Sequence, residues 1–553
     1  MADFIRDTTF GQVARYALGG RLFKFPEEKP GFQLPGDHRR TSEDSSTTPK
    51  LIRNCDSSSY PLDSSGRPRI TAQQPSSGLV VPALASEKII LVDWYTSTDP
   101  QNPRNWSTLK KSIVYIQVNL YTFTVYMSSS IYTSAETEIM HVFGTSQTVA
   151  SLGLALYVLG YGVGPLFLAP PSEIAAIGRN PPYVITFTLF VIFSALAALV
   201  NNIPGLMILR FLQGFFGSPA LATGGGSIGD ITSQMSLPYG LYLWAIFATG
   251  GPAFGPLISG FSVPVEGWRW ALWEILWTSG PTLIGLIFLP ETSSNTILLR
   301  RAKRIRKLTN NSAYRAQSEV DEVKLSAARI VSEALVIPWK INVLDPAILF
   351  TSFYCGLVYA IFYSFFEVFP LVYMDVYGMN LGEMGLVFLS VIIAAFLNSI
   401  PYFAYVHFIL NPATRKDCPV SPERRLLPAL VASMLLPIGI MLFAWTSRSS
   451  IHWVVPTIGV MLTTGNVCLI IQCIYVYIAM VYPRYEASLF GANDFARAVV
   501  AFAAILWAEP LYSSLGVAKG STVLGCLCFG CVFGIFALYL FGHYLRARSK
   551  FAG

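Results

Sequence analysis

Charged residues stand within long apolar stretches of this sequence, among them Arg210, Glu367, Asp494 and Arg497. A charged side chain is costly in lipid, so a residue of this kind faces a protein interior or a water-filled cavity and has a partner there. A carboxyl group at that depth can take up a proton or attract a cation. We therefore regard all four residues as candidates for proton coupling.

Arg210 belongs to a helical face that is otherwise small or polar. Gln213, Gly214 and Gly217 follow it at i+3, i+4 and i+7, which places the four residues on one side of a helix. Such a face suits the interior of a helix bundle. The alternative to a role in proton handling is a buried arginine that only holds neighbouring helices together through hydrogen bonds.

Glu367 follows two tyrosines, Tyr359 and Tyr363, along one helical face. Aromatic stripes are common in ordinary protein cores, but the carboxyl group at membrane depth favours a cavity wall here. Asp494 and Arg497 are three residues apart and can neutralise each other on a helix. A structural ion pair is therefore the favoured interpretation of these two residues.

Three amide side chains in apolar stretches complete the predicted cavity wall, next to Tyr359 and Tyr363. They are Gln117, Asn119 and Asn493. The apolar stretch that holds Gln117 and Asn119 contains no carboxylate. A coupling acid on that helix is therefore not expected.

The stretch GPAFGPLISG, residues 251–260, combines glycine and proline inside an apolar run. It would interrupt a soluble helix, but in lipid the neighbouring helices can satisfy the freed backbone groups. Gly251, Gly255 and Ser259 recur every four residues and predict a smooth face for close helix packing. Such a face is either a static packing surface or one along which helices slide or rock. The residues of this stretch with a predicted conformational role are Gly251, Gly255, Pro256 and Gly260.

A loop at residues 172–181 holds one acid, Glu173, and one base, Arg179, next to a turn at Gly178. The two charges can form an ion pair in one conformation and release it in another. An exposed pair of this kind contributes only about 0–1 kcal/mol. That is small for stability but enough to bias a conformational equilibrium.

The composition shows which elements must position these residues. The chain of 553 residues is 53% hydrophobic and 13% charged, with a mean hydropathy of +0.49, which predicts an all-α protein that crosses the membrane many times. Apolar runs long enough to span a bilayer number about twelve. We place them near 112–134, 148–169, 182–200, 205–225, 238–262, 270–289, 347–374, 384–409, 427–446, 453–482, 488–510 and 521–545.

Basic residues fix the predicted orientation. Of the 39 Lys and Arg residues, only Arg269, Arg448 and Lys519 fall in outer loops when both termini are placed in the cytosol. The basic cluster at 300–307 is interpreted as a topology determinant or a contact with anionic lipid, both ranked above protein binding. The two sequons, Asn105 and Asn310, fall on the cytosolic side, so glycosylation is not expected.

The spans divide the chain into five segments. The prediction is a cytosolic, mostly disordered tail (1–111), an N-terminal six-helix bundle (112–290), a cytosolic linker (291–346), a C-terminal six-helix bundle (347–545) and a cytosolic C-terminus (546–553).

Several motifs resemble those of the fungal twelve-span drug:proton antiporters of the major facilitator superfamily, the group associated with azole and benomyl resistance. The stretch at 251–260 is similar to their antiporter motif, with Ser259 in place of a glycine. The loop at 172–181 resembles their cytosolic gating motif, and the stretch at 206–220 resembles the motif whose arginine, here Arg210, is implicated in proton transfer. Other resemblances lie at 99–106, 268–270, 289–292 and 422–428.

This resemblance implies a major facilitator fold and proton-coupled export of small, largely apolar organic compounds, antifungal drugs or toxic secondary metabolites, across the plasma membrane. One alternative is an exporter dedicated to a single secondary metabolite. A nutrient uptake porter is a weaker alternative, because in this superfamily the antiporter motif marks exporters.

A membrane-embedded enzyme or receptor is the competing class of function. The five histidines are dispersed, and no nucleotide-binding loop or cluster of acids, histidines and cysteines is evident. We therefore expect no enzymatic activity, no cofactor and no metal. The expected partners are small organic substrates, protons and the lipid bilayer, without nucleic acid, and the chain is expected to act as a monomer.

Overall fold

The computed structural model describes residues 5–18, 23–29, 31–32, 89–233, 235–322, 340–341, 344–415, 421–482 and 486–548. The regular secondary structure of these residues is helical, apart from a parallel pairing of Ile90–Leu91 with Tyr314–Arg315 and an isolated antiparallel bridge between Thr8 and Pro290. The Ser- and Pro-rich part of the tail, predicted to be disordered, lies outside the described residues.

Six spans make up the first half of the bundle, and span 4 is interrupted twice. The bounds are span 1, Thr108–Ser130; span 2, Gln147–Leu168; span 3, Asn180–Leu199; span 4, Ile203–Gly217, Pro219–Ala222 and Gly224–Ile231; span 5, Leu237–Glu266; and span 6, Trp268–Ile287. Short helices at Glu136–Phe143, the vestibule helix, and at Pro170–Glu173 follow spans 1 and 2.

The second half repeats this number of spans. The bounds are span 7, Pro346–Phe369 with a wider turn at Pro370–Met374; span 8, Leu381–Val387 and Leu389–Tyr405, extended by Val406–Leu410 and Asn411–Arg415; span 9, Leu427–Thr446 after a turn at Pro422–Leu426; and span 10, Val454–Val481. Spans 11 and 12 lie in the helical segment Glu486–Arg548, which Gly516 divides because its φ of 76° is not helical.

The described residues contain nine helical stretches that are long and apolar enough to cross a membrane. One of them is the segment that Gly516 divides into spans 11 and 12. Spans 1 and 6 are more polar, but their 23 and 20 residues also reach across about 30 Å of hydrocarbon. The predicted twelve spans are thereby confirmed for the described chain.

The antiporter-like stretch is part of one continuous helix, span 5, which packs closely against span 1. A Cβ atom added at Gly255 would lie 2.2 Å from Ser130 Oγ, and one added at Gly251 would lie 2.7 Å from Tyr126 Cβ. Ser259 donates to the Ser134 hydroxyl at 2.8 Å. The predicted close-packing face is therefore confirmed, whereas sliding along it stays a prediction.

The same helix also meets the other half of the protein. A Cβ added at Gly260 would lie 2.7 Å from the Leu381 carbonyl oxygen on span 8, and one added at Gly385 would lie 2.6 Å from the Pro256 oxygen. Glycines therefore allow span 5 to approach span 1 on one side and span 8 on the other.

The first residues of the chain dock onto the segment between spans 6 and 7. A tail helix, Thr9–Ala17, is followed by a turn at Pro26–Glu28, and a linker helix spans Ser294–Thr309. The Glu291 amide donates to the Asp7 carbonyl oxygen at 3.0 Å. We call this side of the bundle, predicted to be cytosolic, the tail end; the side with the vestibule helix, predicted to be outer, is the vestibule end.

Two arginines of the linker helix bind this docked tail. Arg301 is fully buried and donates to Asp99 at 2.8 Å, and its Nε lies 3.6 Å from Glu27. Arg304 donates to Glu27 at 3.2 Å. Although burial opposes it, the bond to Arg301 and the charge of that residue hold the pKa of Asp99 below its ordinary value.

These contacts give part of the basic cluster a role that the sequence does not indicate. Arg301 and Arg304 bind carboxylates of the same chain, which stand about 200 residues and more away in sequence. The interpretation of the cluster as a topology determinant or a contact with anionic lipid stays a prediction.

Candidate functional site

Arg210 is fully buried on span 4 and is held by neutral groups. Its guanidinium donates to the carbonyl oxygens of Ser128, Ser129 and Gly153 and to Gln213 Oε1, at 2.9, 2.8, 3.1 and 3.2 Å. It also lies over the rings of Tyr132 and Tyr157, 4.9 and 4.5 Å from their centroids. Arg210 therefore joins spans 1, 2 and 4, as the alternative interpretation required, and it forms no ion pair with any described residue.

Tyrosine hydroxyls connect the two halves beside Arg210. Tyr161 on span 2 shares a hydrogen bond of 2.6 Å with Tyr359 on span 7 and donates to Tyr363 at 3.1 Å. Tyr363 also lies within 3.3 Å of the Ser129 hydroxyl on span 1. The ring of Tyr126 packs edge-on against Tyr161, with 5.8 Å between centroids. We call Tyr126, Tyr161, Tyr359 and Tyr363 the tyrosine cluster.

Asp494 and Arg497 form the predicted ion pair on span 11, with an N–O distance of 2.8 Å and both side chains buried. Tyr475 of span 10 donates to Asp494. The Arg497 guanidinium reaches the Tyr126 hydroxyl at 3.5 Å and lies 4.2 Å from the centre of the Tyr359 ring. The pair is thereby joined to the tyrosine cluster.

A small inner cavity lies against this pair, with a volume of about 60 Å³. Its wall is mostly aromatic and aliphatic, and its main polar members are Thr249, Gln472, Tyr475 and Arg497. This volume accommodates a few water molecules but not a drug-sized molecule, which needs several hundred Å³. In this conformation the centre of the bundle is therefore nearly closed.

A much larger cavity, the vestibule, lies between the halves at the vestibule end. Its volume of about 970 Å³ is that of a site for a drug-sized molecule. Glu367, predicted as a cavity carboxylate, lines it and is 7% exposed. Other acids in the wall are Glu136, Glu138, Glu266 and Glu509. The wall also contains aromatic and aliphatic residues, among them Phe366, Phe388 and Met384.

The three predicted amides line neither of these cavities. Gln117 donates to the Gly285 carbonyl oxygen on span 6 at 3.0 Å, and Asn119 donates to the Tyr115 oxygen of its own helix at 2.7 Å. Asn493 is buried and donates to the Ser352 hydroxyl at 3.2 Å. In this structure Gln117 and Asn493 fasten neighbouring helices to one another, whereas Asn119 bonds within its own helix.

At the tail end, Arg179 pairs with Asp230 of span 4 at 2.6 Å, not with Glu173 as the loop sequence suggested. Its backbone amide donates to Glu291, which follows span 6, at 3.1 Å. Gly178 adopts a φ of 82°, and a Cβ there would lie 2.4 Å from the Glu291 carboxylate. The loop is thus held by Arg179, directly after the turn, to span 4 and to the residue that follows span 6.

Comparison with known families agrees with this architecture. The family profile described as Major Facilitator Superfamily matches residues 118–505. The chain belongs to this superfamily. Among solved structures, the xylose transporter XylE from E. coli, in a partially occluded inward open conformation, aligns with a TM-score of 0.55 at 12% identity, covering 78% of this chain and 98% of that one. At that identity the match concerns the fold alone.

Curated relatives place this major facilitator protein among fungal transporters. The MFS-type transporter pyvG of Aspergillus violaceofuscus is 51% identical over 552 residues and covers 100% of both chains. A cycloheximide resistance protein of Candida maltosa is 37% identical over 563 residues, again covering 100% of both chains. Fluconazole resistance protein 1 of Saccharomyces cerevisiae is 36% identical over 505 residues and covers 90% of this chain and 89% of its own. The resemblance to fungal drug exporters is therefore confirmed.

Sequence reasoning missed several residues that this major facilitator protein brings to the interface of its halves. They are Tyr161, Tyr475, Glu136 and Glu509. Glu136 lies just beyond residue 134, the predicted end of span 1, and therefore falls outside every predicted span. The i, i+4 spacing of Tyr157 and Tyr161 on span 2 was the available signal for a second tyrosine face.

Proposed function

We propose that this protein exports small, largely apolar organic molecules, antifungal drugs or toxic secondary metabolites, in exchange for protons. Export takes place by alternating access across the plasma membrane, with both termini in the cytosol and the monomer as the working unit. The drug-resistance names of relatives that align over nearly the whole chain support export of this kind.

The observation that carries the proposal is a polar path between the halves whose centre is joined by hydrogen bonds. It begins at Glu367 in the wall of the vestibule, and Tyr363 follows one helical turn away. From Tyr363, hydrogen bonds lead to Tyr161 and Tyr359, and the ring of Tyr359 packs against the Arg497 guanidinium beside the inner cavity. A path of this kind offers a proton successive donors and acceptors at the surface where the two halves must separate.

The sizes of the two cavities support the proposed class of substrate. The vestibule is large enough for a drug-sized molecule and combines aromatic walls with carboxylates, whereas the inner cavity is closed to one. We infer that the inner cavity enlarges when the halves rock apart at the tail end. Span 5, whose glycines contact both span 1 and span 8, is the helix along which that movement takes place.

The test is efflux from cells that express the chain, with a panel of azoles, benomyl and cationic dyes, with and without a protonophore. We expect protonophore-sensitive efflux that Arg210→Ala abolishes at unchanged surface expression. Arg269→Ala is the matched control, because Arg269 binds Asn201 and the Val200 carbonyl outside the polar path.

Each outcome of the panel has a distinct meaning. Efflux that persists in full with the protonophore would contradict proton coupling. Export of one compound only would favour the alternative of an exporter dedicated to a single metabolite, and inward accumulation of a nutrient would contradict export altogether.

A further inference from the structure

The vestibule wall contains two carboxyl groups that come from opposite halves and meet at one side chain. Glu136 begins the vestibule helix after span 1, and Glu367 lies on span 7. Both are buried, at 5% and 7% exposure. Ser151 of span 2 stands between them, with its Oγ 3.0 Å from Glu136 Oε2 and 3.4 Å from Glu367 Oε2.

The hydroxyl group of Ser151 cannot satisfy both carboxylates. It has one proton to donate, so it can donate to only one of the two oxygens. The second contact becomes attractive only when that carboxyl is protonated and donates to the Ser151 oxygen. Gln147 adds one long hydrogen bond, 3.4 Å from its Nε2 to Glu136 Oε2, and its amide also acts on Glu367.

The charges around the pair also favour one proton. The Arg210 guanidinium attracts Glu136 electrostatically, and Tyr132 lies on the same side. Glu367 instead faces the negative charge of Glu509. The remaining titratable residues of the wall are Glu138, His141 and Glu266.

Glu136 has a further unmet requirement. Its Oε1 atom is buried and has no hydrogen-bond partner among the described residues. Burying two ionised carboxylates with so few donors is costly, and like charges that share a site do not both ionise readily. A single added proton removes the repulsion and completes the bridge.

We propose that Glu136, Ser151 and Glu367 form a proton-binding latch that holds the two halves together at the vestibule end. When this end closes, one proton is taken up and shared across Ser151; when the halves separate, the carboxyl groups part and no longer hold the proton. The latch rests on the proposed function for its role in transport, but its existence can be tested without any substrate.

Because the closed arrangement binds a proton that the open one releases, lowering the pH favours closure. For one proton, the ratio of open to closed molecules changes by up to about tenfold per pH unit. The opposite direction, closure at higher pH, is incompatible with the latch.

The experiment measures the distance between spin labels on opposite halves in the purified full-length chain in lipid nanodiscs. Suitable sites are Val142 on the vestibule helix and Val376 after span 7, which are 55% and 37% exposed. Labels attached through an unnatural amino acid leave the native cysteines in place. We expect the short-distance population to grow as the pH falls from about 8 to about 5, a range that brackets the usual titration of coupled carboxyl groups.

Glu136→Gln and Glu367→Gln each remove the repulsion, so either variant should remain closed across the whole range and lose the pH dependence. Glu138→Gln is the matched control, because Glu138 lines the same cavity without contacting Ser151, and it should titrate as the parent does. The latch is contradicted if the spin-label distances in the parent protein do not change with pH, or if both glutamine variants keep the pH dependence. If the latch titrates but efflux does not respond to the protonophore, the latch is retained and proton coupling of transport is contradicted.

Discussion

Two arginines lie at membrane depth in this protein, one in each half, and the protein neutralises them in different ways. Arg497 is paired with a carboxylate, Asp494, on its own helix. Arg210 is surrounded by carbonyl oxygens, an amide and two tyrosine rings, and forms no ion pair with a described residue.

The difference separates a neutral unit from a fixed positive charge. The Asp494–Arg497 pair has no net charge, so its field falls off faster with distance than that of a single charge. The charge of Arg210 is only solvated by dipoles, and it therefore acts on Glu136 across the bundle. The N-terminal arginine is thus suited to sense the protonation of the latch, and the C-terminal one is suited to shape the wall of the inner cavity.

The largest effect on stability is expected when the neutral unit is broken. Arg497→Ala leaves Asp494 buried without its cation, and losing one partner of a buried pair costs about 3–5 kcal/mol. The double variant Arg497→Ala with Asp494→Asn removes both charges and should recover much of that loss. The measurement is thermal unfolding of the purified protein in detergent.

The comparison is wrong if the double variant unfolds as readily as the single one. That result would mean that Arg497 contributes mainly through the Tyr126 hydroxyl and the Tyr359 ring, with its charge of little importance. Asp494→Asn alone completes the cycle and separates the energy of the pair from the two individual losses.

A smaller loss of stability but a large loss of transport is expected from Arg210→Lys. Lysine keeps the charge but cannot donate to three carbonyl oxygens on two neighbouring spans, because its ammonium group is compact while the guanidinium is a planar fork. A buried hydrogen-bond acceptor left unsatisfied costs about 1–3 kcal/mol. Efflux and unfolding temperature, measured on the same preparations, check this.

Arg497→Lys is the matched substitution in the other half. A lysine there still meets Asp494, so we expect it to retain more transport than Arg210→Lys does. Equal losses of transport in the two lysine variants would contradict the assignment of Arg210 as a charge sensor and of the Asp494–Arg497 pair as a neutral part of the cavity wall.

The difference between the two arginines could be predicted only in part from the sequence. The i, i+3 spacing of Asp494 and Arg497 predicts their pairing, because partner and arginine share one helix and helical geometry is local. The face of Arg210 was equally visible, and the expected burial is confirmed. Its acceptors were not visible, since three of them are backbone carbonyls on other spans, and every residue has a carbonyl.

Contacts between distant segments account for the rest of what sequence reasoning missed. The latch joins Glu136 to Glu367 through Ser151, and the tail contact joins Glu27 and Asp99 to Arg301. Neither set has a periodic spacing that marks it. Gln117 and Asn119 show the converse problem: polarity in a span predicts burial, but the rotation of the helix decides whether the side chain meets a cavity or another helix.

The smallest effect is expected at the tyrosine hydroxyls that lie between Arg210 and Arg497. Tyr161→Phe removes the hydroxyl that bonds Tyr359 and Tyr363, next to Ser129 whose carbonyl holds Arg210. Each hydrogen bond of this type contributes about 0.5–1.5 kcal/mol net, so the unfolding temperature should fall only slightly. If the path conducts protons, protonophore-sensitive efflux should fall further than stability does. Tyr157→Phe is the control, because the Tyr157 hydroxyl donates to the Val125 carbonyl within the same half. A similar loss of efflux in both variants would show that the hydroxyls matter for packing and not for a path between the two arginines.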